Sequence, residues 1–171
     1  MVMVLGLLSF TGCGKDDGTD GPDGNDVPAD QSYSVTLFFA NEEYIATGDE
    51  SLEKFMVVQS EMTAKPGEAY LKALELLKSP PEEGYSTLIT DQIQFNDAYL
   101  QGDTVFVDLN SSGLNGGSLQ EVFLISQIVD TLLNSFDEVK QVQFLVDGET
   151  AETLMGHVDA SGAFAKDLFS E

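Results

Sequence analysis

"GGSLQEVFLISQIVDTLLNSF", residues 116–136, and "VKQVQFLVDG", residues 139–148, decide the fold between them. In the first, Leu119, Val122, Ser126, Val129, Leu133 and Phe136 recur every three or four positions, and Phe123, Ile125 and Leu132 widen the stripe. That is the period of an amphipathic helix, with this stripe turned inward. Ser118 and Glu121 have capping-box spacing, in which the Ser bonds a free backbone N–H and the Glu reaches back to another. In the second stretch Val142, Phe144 and Val146 alternate, as on one face of a strand.

Upstream, "QIQFNDAYLQGDTVFVDLN" (92–110) reads as a hairpin. Ile93 and Phe95 alternate with polar residues, Gln101-Gly102-Asp103 turns the chain, and Val105, Val107 and Leu109 return. Before it, "KPGEAYLKALELLKSPP" (65–81) places Tyr70, Ala73, Leu74 and Leu77 at helical spacing. Pro66 suits a first turn, and Pro80 and Pro81 stop the helix. "SYSVTLFFA" (32–40) and "FMVVQSEM" (55–62) are strand signals, with Val35, Leu37 and Phe39 on one face. The order is strand, strand, helix, hairpin, helix, strand. A helix in each crossover is what parallel neighbours need. The expectation is a single α/β (α+β) domain: one mixed β-sheet of about five strands with both helices packed on one face.

The bulk numbers agree with one packed domain. The chain has 171 residues, 42% of them hydrophobic and 22% charged. Against 30 Asp and Glu stand 7 basic residues, all lysine, for a formal charge of −23. Without arginine there is no planar fork for phosphate, and the net charge repels nucleic acid and anionic headgroups. Nucleic-acid binding is therefore excluded.

The N-terminus has its own pattern. Residues 2–12, "VMVLGLLSFTG", carry no charge and end at Cys13, the only cysteine. The run is too short to span a bilayer, which takes about 20 apolar residues. It has the length of a signal's apolar region. An apolar run, Thr-Gly-Cys and then a polar stretch resembles a bacterial lipoprotein signal, which implies cleavage before Cys13 and acylation of that residue, with palmitate-type chains. Two features depart from the pattern: Phe10 stands where Leu is usual, and no Lys or Arg precedes the run. Residues 14–32 hold six Asp, four Gly and two Pro and read as a self-repelling, disordered acidic linker. Asp17, Asp20, Asp23 and Asp26 also have a spacing that can collect Ca²⁺ oxygens. A single cysteine excludes an internal disulfide.

Candidate sites are few. His157, the only histidine, lies two residues before Asp159 in "GHVD". Catalysis would need a nucleophile or substrate proton within its reach, and no Gly-x-Ser-x-Gly elbow exists. A turn in which Gly156 takes a special conformation and Asp159 bonds backbone N–H groups accounts for the motif. Asp108, Asn110, Ser112 and Gly113 match the first half of an EF-hand loop, but its twelfth position would be Leu119 rather than a bidentate Glu. They are the weak candidates for a metal; a strand-to-helix loop is the alternative. Gly116 and Gly117 before a helix could cradle an anion, against the sign of the molecule. Tyr85 in "PPEEGYST" (80–87) could anchor a partner or fold onto the core.

Several stretches together resemble the GerMN domain of sporulation and spore-germination lipoproteins of Gram-positive bacteria. They are "VTLFFA", "LLKSPPEEG", "VFVDLN", the helix from Ser118, and "VKQVQFLVDGETAETLMGHVD", across residues 33–168. The division is then a lipoprotein signal peptide at 1–12, a lipidated Cys and acidic linker at 13–32, and a GerMN-like domain at 33–171. The resemblance implies a non-enzymatic interaction domain without cofactor, on the extracytoplasmic face of the cell membrane. Its partners would be sporulation or envelope proteins, or further copies of itself. The alternatives are an envelope lipoprotein that binds Ca²⁺ or a small ligand, and an adaptor for cell-wall enzymes. Some family members carry two GerMN copies or an added β-sandwich; this sequence shows one GerMN-like stretch.

Overall fold

The computed structural model describes residues 29–166, 168 and 169, so Cys13 and most of the acidic linker lie outside it. Strand β1 (Gln31–Asn41) buries Val35, Leu37 and Phe39 by simple alternation. Asn41 then caps the short helix α1 (Glu42–Thr47): its Oδ1 accepts the N–H of Glu43 at 3.0 Å, and Gly48 at φ 66° closes the helix. Strand β2 (Phe55–Ala64) returns antiparallel to β1 in unbroken register, Gln31 opposite Ala64 to Ala40 opposite Phe55. A 3₁₀ turn at Pro66–Glu68 leads into α2 (Ala69–Leu76), whose buried residues include Tyr70, Ala73 and Leu74, as the spacing predicts.

After the two-residue β3 (Tyr85–Ser86) come β4 (Phe95–Gln101) and β5 (Thr104–Leu109), the expected hairpin, with Gly102 in the turn at φ 69°. Helix α3 (Ser118–Ser135) crosses to β6 (Gln141–Val146), which runs parallel to β5, and β7 (Glu149–Thr150) folds back on β6. The mixed α/β class and the element order are as expected. The strand count exceeds about five because β3 and β7, two residues each, are too short to show a period.

One expectation is corrected. The strands form two sheets, β2-β1-β3 and β4-β5-β6-β7, instead of one. Of the two helical crossovers, only β5–α3–β6 joins parallel neighbours; the α2 connection joins β2 to β3, which lie on opposite sides of β1 in one sheet, and the chain changes sheet between β3 and β4. The reason lies in α3. Every residue from Phe123 to Leu132 is buried, polar Ser126, Gln127, Asp130 and Thr131 included, so the helix is covered on every side. A helix buried all round cannot lie on one face of one sheet with its back to water. Each large apolar side chain contributes roughly 1.5–3 kcal/mol when covered. Leu124, Ile125, Ile128, Val129 and Leu132 enter the main core with Val107 and Phe144, while Phe123 enters a second cluster with Ala40 and Tyr44.

The helix start is corrected too. Gly117, not Ser118, is the N-cap, and Gln120 Oε1 accepts the Gly117 N–H at 2.8 Å. Leu119, assigned to the inner stripe, is 48% exposed, because it lies on the first turn outside the two sheets.

Candidate functional site

Two groups of buried polar side chains on α3 organise the molecule. The first is a row spaced four residues apart: Gln127, Thr131 and Ser135. Gln127 and Thr131 are fully buried. Ser135 Oγ accepts the N–H of Thr36 at 2.9 Å and donates to its carbonyl at 3.2 Å. Thr131 Oγ1 accepts the N–H of Phe38 at 3.2 Å. Gln127 Nε2 donates to the Phe38 carbonyl at 3.0 Å, and its Oε1 accepts the N–H of Leu88 at 2.9 Å. Four helical residues rise about 6 Å and two strand residues about 6.6 Å, so the two repeats nearly match. The helix thus supplies along β1 the donors and acceptors that a neighbouring strand would give.

The second group is Glu121 alone. It is fully buried on the first turn of α3. Its Oε1 accepts the N–H groups of Leu154 and Met155, both at 2.8 Å. Its Oε2 accepts those of His157 at 2.7 Å and Val158 at 3.2 Å. Four amides on one carboxylate replace the water it loses on burial. Glu121 therefore clamps the loop after β7 instead of completing a capping box. Gly156, at φ 94°, gives the loop the left-handed step that lets amides on both sides of it face one carboxylate.

His157 is part of this loop. Its ring is exposed, with Nε2 3.2 Å from the Gly116 carbonyl, which fastens the loop to the start of α3. Asp159 Oδ1 accepts the N–H of Ser161 at 3.0 Å, and the Ser161 bonds hold its carboxyl below the usual value. A depression of about 420 Å³ beside them is lined by Glu152, Thr153, Gly156, His157, Asp159 and Ser161. Nothing among the described residues places a nucleophile against the ring.

The EF-hand-like residues are drawn into backbone contacts. Asp108 Oδ1 accepts the N–H of Gly148 at 2.9 Å, and Asn110 Oδ1 that of Ser112 at 2.9 Å. Asp147 Oδ1 accepts the N–H of Ser111 at 3.3 Å, which ties this loop to the β6–β7 turn. Among the described residues no three of His, Cys, Asp and Glu converge as a metal would need. Tyr85 is half-buried and packs edge-on against Phe39, 6.0 Å between ring centres.

Fold and site define a small two-sheet α/β module in which the buried polar groups of one helix hold backbone. The chain belongs to the Germane family, described as sporulation and spore germination, whose model matches residues 36–152. The loop clamped by Glu121 follows the matched residues. Three solved structures share the fold. The first GerMN domain of the sporulation protein GerM from Bacillus subtilis has a TM-score of 0.58 at 14% identity, over 79% of this chain and 96% of that one. The tandem GerMN domains of GerM give 0.52 at 18%, over 86% of this chain, which spans about half (48%) of that one. A Clostridium perfringens protein assigned as a lipoprotein gives 0.51 at 18%, over 83% and 91%. A search of curated proteins gives no match.

Proposed function

We propose that this chain is a lipid-anchored, extracytoplasmic, non-enzymatic interaction domain that serves assembly of the sporulation or spore-germination envelope apparatus. The observation that carries the reading is the Germane match across most of the folded part. The position of Cys13 supports the anchor, at the change from an apolar run to an acidic one. Among the described residues no helix is long and apolar enough to cross a membrane. Acyl chains contribute about 0.8 kcal/mol per buried CH₂, and more than one chain holds firmly. The use of α3 side chains to fix backbone supports a rigid contact surface over a reactive centre.

The test is Cys13→Ala in cells. The wild-type chain is expected to sediment with membranes and the variant to move to the soluble fraction. A variant as membrane-bound as the wild type contradicts the anchor.

A further inference from the structure

The strand edges are treated unequally. The edge of β1 away from β2 is sealed by Gln127, Thr131 and Ser135 of α3, then by β3 at Ala40 and Asn41. The outer edge of β6 is covered by β7 and, further back, by Phe164, which exchanges two backbone hydrogen bonds with Val142. Strand β4 is interrupted by a bulge between Phe95 and Asp97. Bulges, lysines and short strands are how proteins blunt edges against unwanted pairing.

Strand β2 is different. Thr36 and Phe38 turn their N–H and C=O groups toward α3, so their partners Gln59 and Val57 must turn theirs to the opposite, outer side. By the same alternation Glu61 and Thr63 point outward. The Lys72 ammonium caps the Thr63 carbonyl. No described residue bonds the outward groups of Val57, Gln59 and Glu61, and this stretch has no proline, lysine or bulge. The edge is therefore ten residues long, flat in register, and open in its middle.

Its outward-facing side chains are also distinctive. Val57 is 50% exposed, one of three such large apolar side chains among the described residues. It adjoins a depression of about 460 Å³ whose apolar lining is Leu52, Phe38, Phe55 and the Phe169 ring packed 5.7 Å from Phe55. Among the described residues, Glu50, Glu53 and Asp130 line that depression with Lys54; Glu50 pairs with Lys54 at 3.2 Å and accepts from Tyr44, Asp130 is buried, and Glu53 is exposed. An apolar floor with a net acidic rim suits a long basic side chain, its stem on the rings and its charge at the exposed Glu53. A strand added to β2 would lie about 4.8 Å away. From there a lysine or arginine reaches over Val57. A second copy of this chain, with a formal charge of −23, is repelled from the same edge.

We infer that the outer edge of β2 takes up an extended segment of a partner protein carrying lysine or arginine at alternate positions, as an added antiparallel strand. This deepens the interaction reading above, but it does not depend on the anchor or on the cellular setting. The test therefore stands apart from membrane fractionation. It uses the full chain and an eight-residue peptide alternating valine and lysine, with an alternating valine and glutamate peptide as control. The readout is amide hydrogen exchange by NMR. In the free chain the Val57, Gln59 and Glu61 amides exchange at nearly the rate of unstructured peptide. The lysine peptide slows them at least tenfold and the glutamate peptide does not. Gln59→Pro removes an outward N–H together with the exposed side-chain bond from Gln59 to Thr36, takes no N–H from the β1 ladder, and abolishes the protection of Val57 and Glu61. Val57→Lys, at an exposed position that folding tolerates, weakens lysine-peptide binding at least tenfold. The inference is overturned if these amides are already protected without peptide, or if protection falls on another edge or nowhere. Equal protection by the glutamate peptide, or protection that arises from self-association of the chain, overturns it as well.

Discussion

Glu121 sets the largest single-residue expectation. Glu121→Gln keeps the shape but puts an NH₂ against amides that need an acceptor and removes the charge that strengthens all four bonds. Hydrogen bonds to charged groups are each worth about 1.5–3 kcal/mol and do not add, so a loss of about 2–4 kcal/mol is expected in denaturant unfolding. Exchange of the Leu154 and His157 amides should rise with it. A change within 0.5 kcal/mol, the scale of ordinary surface substitutions, would show that the clamp contributes little. The residue was visible in the sequence as an acid among apolar neighbours. Its partners, more than thirty positions away and all backbone, left no side-chain signal to read. Asp147 supports a pH prediction. Its bonds to Ser111 hold its carboxyl below the usual aspartate value. A depressed carboxylate stabilises the fold above its unfolded value, and that contribution is lost as pH falls through the lower folded value. The stability difference between wild type and Asp147→Asn should be greatest at neutral pH and close below about pH 3.8, as chemical unfolding at several pH values would show.

At the scale of elements, the α3–β1 seam is what separates the real fold from the single sheet expected. Gln127, Thr131 and Ser135 stand at i, i+4 and i+8, and in a sequence they look like a solvated stripe. Their buried role becomes apparent only when the strand edge they serve is known. The apolar periods of β1, β2, β4, β5, β6, α2 and α3 were readable because each is long enough to repeat. The sheet order was not, since it depends on which element covers an edge. Leu119 and Thr131 make opposite predictions from those a helical wheel suggests. Leu119→Gln should be nearly neutral, since the residue is exposed. Thr131→Val keeps volume but leaves the Phe38 N–H without its acceptor, at a cost of about 1–2 kcal/mol. Thermal melts check both, and faster exchange at the Phe38 amide would assign the second loss to the seam.

Over the whole molecule, the proposed interaction role is a matter of charge and family. A formal charge of −23 repels anionic surfaces and attracts basic ones over about 8 Å in physiological salt. The family places this fold in sporulation and spore germination, and residue-level chemistry adds that its buried polar groups are spent on holding the frame. The most direct test of the account is in-cell cross-linking and affinity purification of the full chain from growing cultures and from sporulating or starved ones. Recovery of sporulation envelope components from the latter, lost in Cys13→Ala, is the expected result. Recovery of cell-wall enzymes alone, from growing cells, would contradict it.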